Sequence, residues 1–299
     1  MRAAVVGATG FIGRALVPAL AERGDVVAVS RRGDADRREG VRAVAADAGD
    51  GPSLRAAFEG VDVVYHFVHS LGSSDFSSAD TRAAATVARE AARAGVGLIV
   101  YLGGLGDDAP DLSPHLRSRA ETARVLAAGD VPVTTLRAAV VVGKGSAGFE
   151  TIVALVDRLP VMIAPRWVGT ATQPIALDDV VGYLADVAAK PEARGESYDV
   201  GGPEGLTYRE MIERIARLRG KRRRVVEVPV LSPRLSSYWL HLVTPVQANV
   251  SRPLVEGLRN PTVVRDGRIR ELLPRQLTPF DAAARAALRG WEPDLESLT

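Results

Sequence analysis

Cysteine is absent from the 299-residue sequence. That excludes disulfides, thiolate metal ligands and any mechanism built on a cysteine nucleophile or redox pair. Lysine is scarce: only Lys144, Lys190 and Lys221 occur, and every other basic residue of the 38 is arginine. A mechanism that needs an ammonium group has three candidates. Long hydrophobic runs are missing as well, so no membrane-spanning helix is expected. The apolar run Met1–Val6 meets Gly7 directly, without the long apolar core and cleavage site of a signal peptide, so none is expected. Net charge is only +2, too small to imply a long basic face, and no nucleic-acid partner is expected. What is present is ordinary in proportion. With 46% hydrophobic and 25% charged residues, the chain reads as globular, and disordered, collagen-like and coiled-coil classes are excluded.

The first two-thirds alternates apolar strands with amphipathic helices. Strands are expected at Ala3–Val6, Val26–Ser30, Val41–Ala45, Val61–Phe67, Gly97–Leu102 and Val133–Val142. Helices are expected near Ile12–Arg23, Ser53–Phe58, Ala79–Ala94 and Pro114–Ala128. Continuous apolar strands suit a parallel sheet covered on both faces, and the alternation implies right-handed crossovers. A helix over Asp178–Ala189 has Asp178 as its expected N-cap. Tyr198–Val200 reads as a strand, and Thr207–Arg219 as a helix capped by Thr207. Lys221–Arg224 reads as a solvated loop. Beyond about residue 225 prolines become frequent, which suggests a smaller lobe. Leu235–Val243 within it reads as an apolar helix. The expected fold is α/β, a Rossmann-type doubly wound parallel sheet with a small C-terminal lobe. Residues 1–150 form the expected dinucleotide-binding core and 151–299 the substrate lobe, completed by elements at 173–200 in one integrated domain.

Gly7-Ala8-Thr9-Gly10-Phe11-Ile12-Gly13 follows the first strand and opens the first helix. Gly7 permits the sharp turn, Gly10 lets a pyrophosphate approach the backbone, and Gly13 lets the helix pack close to the strand. The helix N-terminus then offers amides to the anion. In this strand-turn-helix setting the pattern is specific for a dinucleotide. The second strand ends Val29-Ser30-Arg31-Arg32, with no acid to bind a ribose hydroxyl. Two guanidiniums there suit a 2′-phosphate, hence NADP(H). Asp34 and Asp36 nearby keep NAD(H) open. Asp47 is placed to accept from an adenine amino group.

Beyond the glycine turn, distinctive segments run from Tyr65–Ser70 through Tyr101–Gly106, Ser113–Arg119, Leu136–Gly143, Gly148–Glu150 and Leu159–Met162. They continue through Pro165–Trp167, Gln173–Ile175 and Gly201–Pro203. In these segments, which span nearly the whole chain, the sequence resembles the atypical branch of the short-chain dehydrogenase/reductase superfamily, in its NmrA-like and YbjT-like group. The resemblance implies an NAD(P)-binding protein. The cofactor surface it implies takes in Gly7, Thr9, Gly10, Phe11, Ile12, Gly13, Arg31, Arg32, Asp47 and Ala48. It continues over Phe67, Val68, Leu102, Gly103, Arg119, Ala138, Ala139 and Val140.

The superfamily's usual catalytic pair is Tyr-x-x-x-Lys on one helix face. The residues four positions after the six tyrosines are His69, Leu105, Val187, Gly202, Ile212 and Leu242, none of them lysine. Where the resemblance expects the pair stand His115 and Arg119. Histidine transfers protons near neutral pH, whereas an arginine can hold a ribose but not donate a proton. His115 is the candidate acid, Arg119 the candidate ribose contact, and His69 a second polar contact. His66 and His69, three apart in a strand, are expected on opposite faces. No metal site is expected among these histidines.

Gly103-Gly104 stands where the superfamily commonly carries a serine or threonine. Backbone amides are the expected replacement. Ser70, Gly104, Phe149, Met162 and Trp167 are the candidate substrate contacts, with Arg166 and Gln173 as further pocket residues. Three readings stay open. The first is an NADP(H)-dependent oxidoreductase reducing a carbonyl or quinone-like small molecule. The second is a non-catalytic NADP(H) sensor or scaffold comparable to NmrA-like regulators. The third is an epimerase-type isomerase acting on a nucleotide-linked substrate. The expected partner is a small molecule, the expected compartment the cytoplasm, and the expected state a monomer or homodimer.

Overall fold

The computed structural model describes residues 1–35, 38–69, 76–106, 112–228 and 258–290. Strands β1 (Ala3–Val6), β2 (Val26–Ser30), β3 (Val41–Ala45), β4 (Val63–His66), β5 (Leu98–Gly104) and β6 (Val133–Ala138) alternate with helices. These helices are α1 (Phe11–Ala21), α2 (Gly51–Phe58), α3 (Phe76–Arg93) and α4 (Pro114–Ala127). Then follow β7 (Val141–Val142), α5 (Ala147–Arg158), β8 (Val161–Pro165), β9 (Ala171–Thr172), β10 (Ile175–Ala176) and α6 (Leu177–Val187). The remaining elements are β11 (Ser197–Val200), β12 (Leu206–Thr207), α7 (Tyr208–Leu218), β13 (Arg224–Val228), α8 (Arg268–Leu272) and α9 (Phe280–Ala287).

Among the described residues, seven strands form the central sheet in the order β11-β6-β5-β4-β1-β2-β3. Every neighbouring pair in it is parallel. Side chains alternate across it as strand geometry requires. Ala3 and Val5 join α1 and α6 in one layer, while Ala4 and Val6 join α2, α3 and α4 in the other. Strand order reverses between β1 and β4, the switch point where parallel sheets open a crevice. A third cluster, built from α5, α7, α9 and β8, packs beside the carboxyl ends of the strands.

The expected strand over Val133–Val142 is split. β6 pairs with β5 and β11 as far as Ala138, and the chain then leaves the central sheet so that β7 pairs with β10. Asp178 is not a cap. α6 starts after Ala176, with Asp178 and Asp179 in its first turn, where a carboxylate still complements the helix dipole. Thr207 does cap α7, in a reciprocal capping box with Glu210. Lys221–Arg224 is not simply solvated. Lys221 Nζ pairs with Asp157, and Arg223 Nε donates to Val156 O (2.6 Å). Both thereby cap the C-terminal turn of α5. The expected helix at Leu235–Val243 lies outside the described residues. No helix among the described residues is long and apolar enough to cross a membrane.

Candidate active site

The glycine turn is built as tightly as its spacing implies. Gly7 has φ 94°, a region that favours glycine, and its N–H donates to Val29 O (3.1 Å). A Cβ on Gly7 would lie 3.1 Å from the Phe67 carbonyl carbon, so β1 and the segment after β4 are in close approach there. A Cβ on Gly13 would stand 2.3 Å from Gly7 O, which only hydrogen can avoid. The N-cap of α1 is Gly10, with no side chain satisfying the first-turn amides. An uncapped helix N-terminus facing a crevice is a ready anion site. Thr9 and Gly10 border it at the surface. Phe11 reaches across to the β7–α5 loop, where a Cβ on Gly143 would come within 3.2 Å of its ring.

At the end of β2, Arg31 and Arg32 are both exposed. Arg32 Nε donates to Asp34 Oδ2 (2.7 Å), and Ser30 Oγ donates to Asp34 Oδ1 (2.9 Å). Asp34 is thus engaged and held below the usual carboxylate range, first by Arg32 and then by Ser30. Asp36 lies outside the described residues. Asp47 is exposed just past β3 and accepts from the Gly49 N–H (2.8 Å), with Ala48 buried beside it. Phe67 and Val68, both partly buried, pack against the two opposite layers of the core.

A cleft of about 360 Å³ opens beside this turn, within the range of small-molecule sites. Phe11, Ile12, Leu102, Gly103, Gly104, Ala138, Ala139, Val140 and Trp167 line it, together with His115 and Arg119. β5 runs past its last partner on β4, since Tyr101 pairs with His66 and nothing on β4 follows. Leu102–Gly104 therefore border the crevice. α4 is anchored at its start by Ser113, whose Oγ accepts from the Leu116 N–H, with Pro114 in the first turn. Ser113 N–H in turn donates to Asn260 Oδ1 (3.3 Å). His115 and Arg119 then lie one turn apart on the cleft side. Arg119 Nη1 donates to Leu102 O (2.9 Å), and the Tyr101 hydroxyl donates to Arg119 O (3.3 Å).

His69 is not on a strand face. β4 ends at His66, so the alternation expected for the two histidines stops before His69. His69 Nδ1 contacts Asp80 Oδ2, and its Nε2 lies 3.2 Å from His115 Nδ1. Ser118 Oγ donates to the same Asp80 oxygen (3.3 Å). Burial, then Arg119, depress His69, while Asp80 opposes them. His115 is held well below the ordinary histidine value by burial, then by Arg119 and His69. His66 is fully buried, stacks on Tyr101 with ring centroids 6.1 Å apart, and has no hydrogen-bond partner on either ring nitrogen.

The remaining candidates divide. Ser70 lies outside the described residues. Phe149 (1% exposed) and Met162 (4%) are packed in the lobe core and do not line the cleft. Their side chains fill the space between α5, β8 and α7, so they support the wall from behind. Gln173 holds Gly202 O (2.7 Å) and the Val264 N–H (3.0 Å), a tether and not a pocket wall. Asp80 and Ser118 escaped the sequence reading. An acid in mid-helix carries no local signal, and only its burial marks it. The far end of the cleft, formed by Ile152, Leu155, Tyr208, Ile212 and Leu258, was equally silent, because those residues read as core.

A tight glycine turn at an uncapped helix N-terminus, at the switch point of a parallel sheet, defines a dinucleotide-binding α/β protein. The residues present fit the group: no side chain caps the first-turn amides of α1, and the absence of a Cβ at Gly7 and Gly13 lets the turn pack tightly against the Phe67 backbone and against itself. The chain belongs to the NAD(P)H-binding family, whose model matches residues 7–156. The resemblance to the atypical short-chain dehydrogenase/reductases holds with it. The chain is 30% identical over 238 residues to (4-alkanoyl-5-oxo-2,5-dihydrofuran-3-yl)methyl phosphate reductase of Streptomyces griseus subsp. griseus, covering 76% of this chain and 77% of the relative. It is 27% identical over 289 residues to ceramide reductase of Caulobacter vibrioides, covering 93% and 86%. Among solved structures, an NADPH-dependent quinone oxidoreductase of Escherichia coli complexed with NADPH shares the fold. Its TM-score is 0.75 at 20% identity, over 98% of this chain and 100% of that one.

Proposed function

We propose that the protein is a cytoplasmic NADP(H)-dependent reductase of a carbonyl or quinone-like small molecule. The observation that carries this reading is the placement of His115 and Arg119, one helical turn apart, on the wall of the cleft beside the glycine turn. Two of the relatives named above are reductases, and the structural neighbour is a quinone oxidoreductase. The cysteine-free composition is compatible with a reducing compartment.

A bound dinucleotide supplies the hydride in such a site. The protein's own residues do the rest. The first-turn amides of α1 hold the pyrophosphate, and Arg31 meets the 2′-phosphate. Arg119 is fixed to Leu102 O by one of its N–H groups, and its other donors would hold a ribose hydroxyl of the bound cofactor. Ala138, Ala139 and Val140 form a smooth wall for a nicotinamide. His115 moves a proton to or from the substrate oxygen. Trp167, Tyr208, Ile212 and Leu258 exclude water and receive the apolar part of the substrate.

Replacing His115 by alanine is expected to lower kcat for NADPH-dependent reduction of menadione or acetophenone by about 100-fold or more, with NADPH affinity retained. Unchanged turnover removes His115 from the chemistry. Tight NADPH binding without turnover of any carbonyl or quinone would favour the sensor reading instead, which the missing tyrosine-lysine pair also fits.

A further inference from the structure

Three side chains from three segments meet at the rim of the cleft, and only the last of them faces it. Asp80 of α3 is 1% exposed. It meets His69, which meets His115, which lines the cleft. An ionised carboxylate only accepts hydrogen bonds, so His69 Nδ1 carries a hydrogen toward Asp80. A single hydrogen then occupies the 3.2 Å contact between His69 Nε2 and His115 Nδ1. If His115 Nδ1 holds it, both rings are neutral and His115 Nε2 is a bare acceptor. If His69 Nε2 holds it, His69 is an imidazolium paired with Asp80, and His115 Nε2 carries a hydrogen as a donor. The two states differ by one proton.

We propose that Asp80, His69 and His115 form a proton relay that decides whether His115 presents an acceptor or a donor to the substrate oxygen. Asp80 and His69 act through His115 as positioning residues. The relay rests on the reductase reading and deepens it. During reduction the hydride bonds to the carbonyl carbon and the C=O π pair moves to oxygen. That oxygen takes the proton from His115 Nε2, while His115 Nδ1 takes the proton from His69 Nε2. His69 is left neutral, still donating through Nδ1 to Asp80, and one proton from solvent reloads the relay after product leaves. Alcohol oxidation runs the same transfers backwards.

The charged and titratable groups around the relay oppose one another. Asp80 on α3 favours the loaded state. Burial and then Arg119 on α4 disfavour added positive charge on both histidines, and at His115 a charged His69 adds to them, while His66 on β4 is itself held down by burial. Loading therefore lies on the acid side of the ordinary histidine value of 6.5. The reduction rate falls as pH rises through that loading step.

The test is Asp80→Asn in the full chain. Removal of the carboxylate is expected to shift the pH profile of acetophenone reduction toward acid by about one unit. It is expected to lower kcat at pH 7 about 10-fold, with KM for NADPH unchanged and partial rescue by Asp80→Glu. A second readout needs no turnover. In ¹⁵N spectra of the imidazoles with NADPH bound, His69 Nδ1 is protonated in the parent protein, and its signal shifts in Asp80→Asn. If Asp80→Asn does not fold, His69→Gln breaks the chain at its middle and is expected to shift the pH profile and lower kcat in the same way, with the His115 imidazole signals moved in the spectra. An unmoved pH profile with unmoved imidazole signals overturns the relay while parent turnover leaves the reductase reading standing. Imidazole signals that respond as described, in a protein that reduces no carbonyl, overturn the reductase reading and leave the tautomer coupling supported.

Discussion

Arg31 and Arg32 are neighbours in sequence and unequal in chemistry. Arg32 donates to Asp34, which is itself tethered to Ser30, so part of its charge is already spent. Arg31 is exposed and forms no ion pair among the described residues. Arg31→Ala is therefore expected to weaken NADPH binding about 10-fold, in line with loss of one charge-assisted contact, and to leave NADH binding nearly unchanged. Arg32→Ala is expected to cost less. Isothermal titration with both dinucleotides checks this, and equal losses for NADPH and NADH would remove the 2′-phosphate argument. The same scale shows where reading the sequence stops. His115 and Arg119 stand out because they replace a known pair at fixed spacing. Asp80 does not stand out, because its partner His69 follows the end of β4 while Asp80 lies within α3, so no single element's periodicity relates them.

At the scale of elements, the βαβ units are legible because each strand is apolar on both faces and each helix on one. β1, β2 and β3 begin and end where the sequence pattern places them. α5 and β8 were not anticipated. α5 is bounded by the glycine-flanked Lys144 loop and by Pro160, and its apolar run reads equally as strand or helix at that length. The turn into α1 offers the sharpest prediction. Gly13→Ala puts a Cβ 2.3 Å from Gly7 O and 2.8 Å from Ala8 Cα, both backbone atoms that cannot rotate away. Displacing α1 from β1 is expected to cost about 2–3 kcal/mol and to abolish NADPH binding. A denaturant midpoint and a fluorescence titration of NADPH measure the two effects. Retained binding at parent affinity would mean that the turn does not hold the cofactor.

At the scale of the whole molecule, long-range polar links join the sheet to later segments. Arg137 on β6 pairs with the buried Asp199 on β11 (2.7 Å), and Asp199 also accepts from the Arg265 and Asp266 N–H groups. The segment leading into α8 is thereby fixed to the sheet edge. His66 sits at the centre of this structure, fully buried with both ring nitrogens unpartnered, and burial pushes it down to about 4. Its folded value lies below its unfolded value of 6.5. As pH falls from about 6.5 to about 4, the unfolded chain binds the proton and the folded chain does not. Stability is expected to drop over that window by up to about 3 kcal/mol, with His69 and His115 adding in the same direction. His66→Leu, which removes the buried unsatisfied group at similar volume, is expected to shrink the drop. Denaturant unfolding at pH 7 and pH 4.5 measures it, and identical drops in both proteins would show that His66 does not titrate in this way.

The sequence by itself determined the layered α/β class, the glycine turn and the loss of the tyrosine-lysine pair. These follow from local rules: periodicity reports which faces are buried, glycine reports where a Cβ cannot fit, and fixed spacing reports a shared helix face. Only the tertiary structure decided that Asp80, His69 and His115 touch, that Phe149 and Met162 face the lobe core instead of the cleft, and that Lys221 and Arg223 cap α5. Each of those depends on which buried faces meet. Burial patterns show that a side chain is covered; the packing of distant elements determines what covers it.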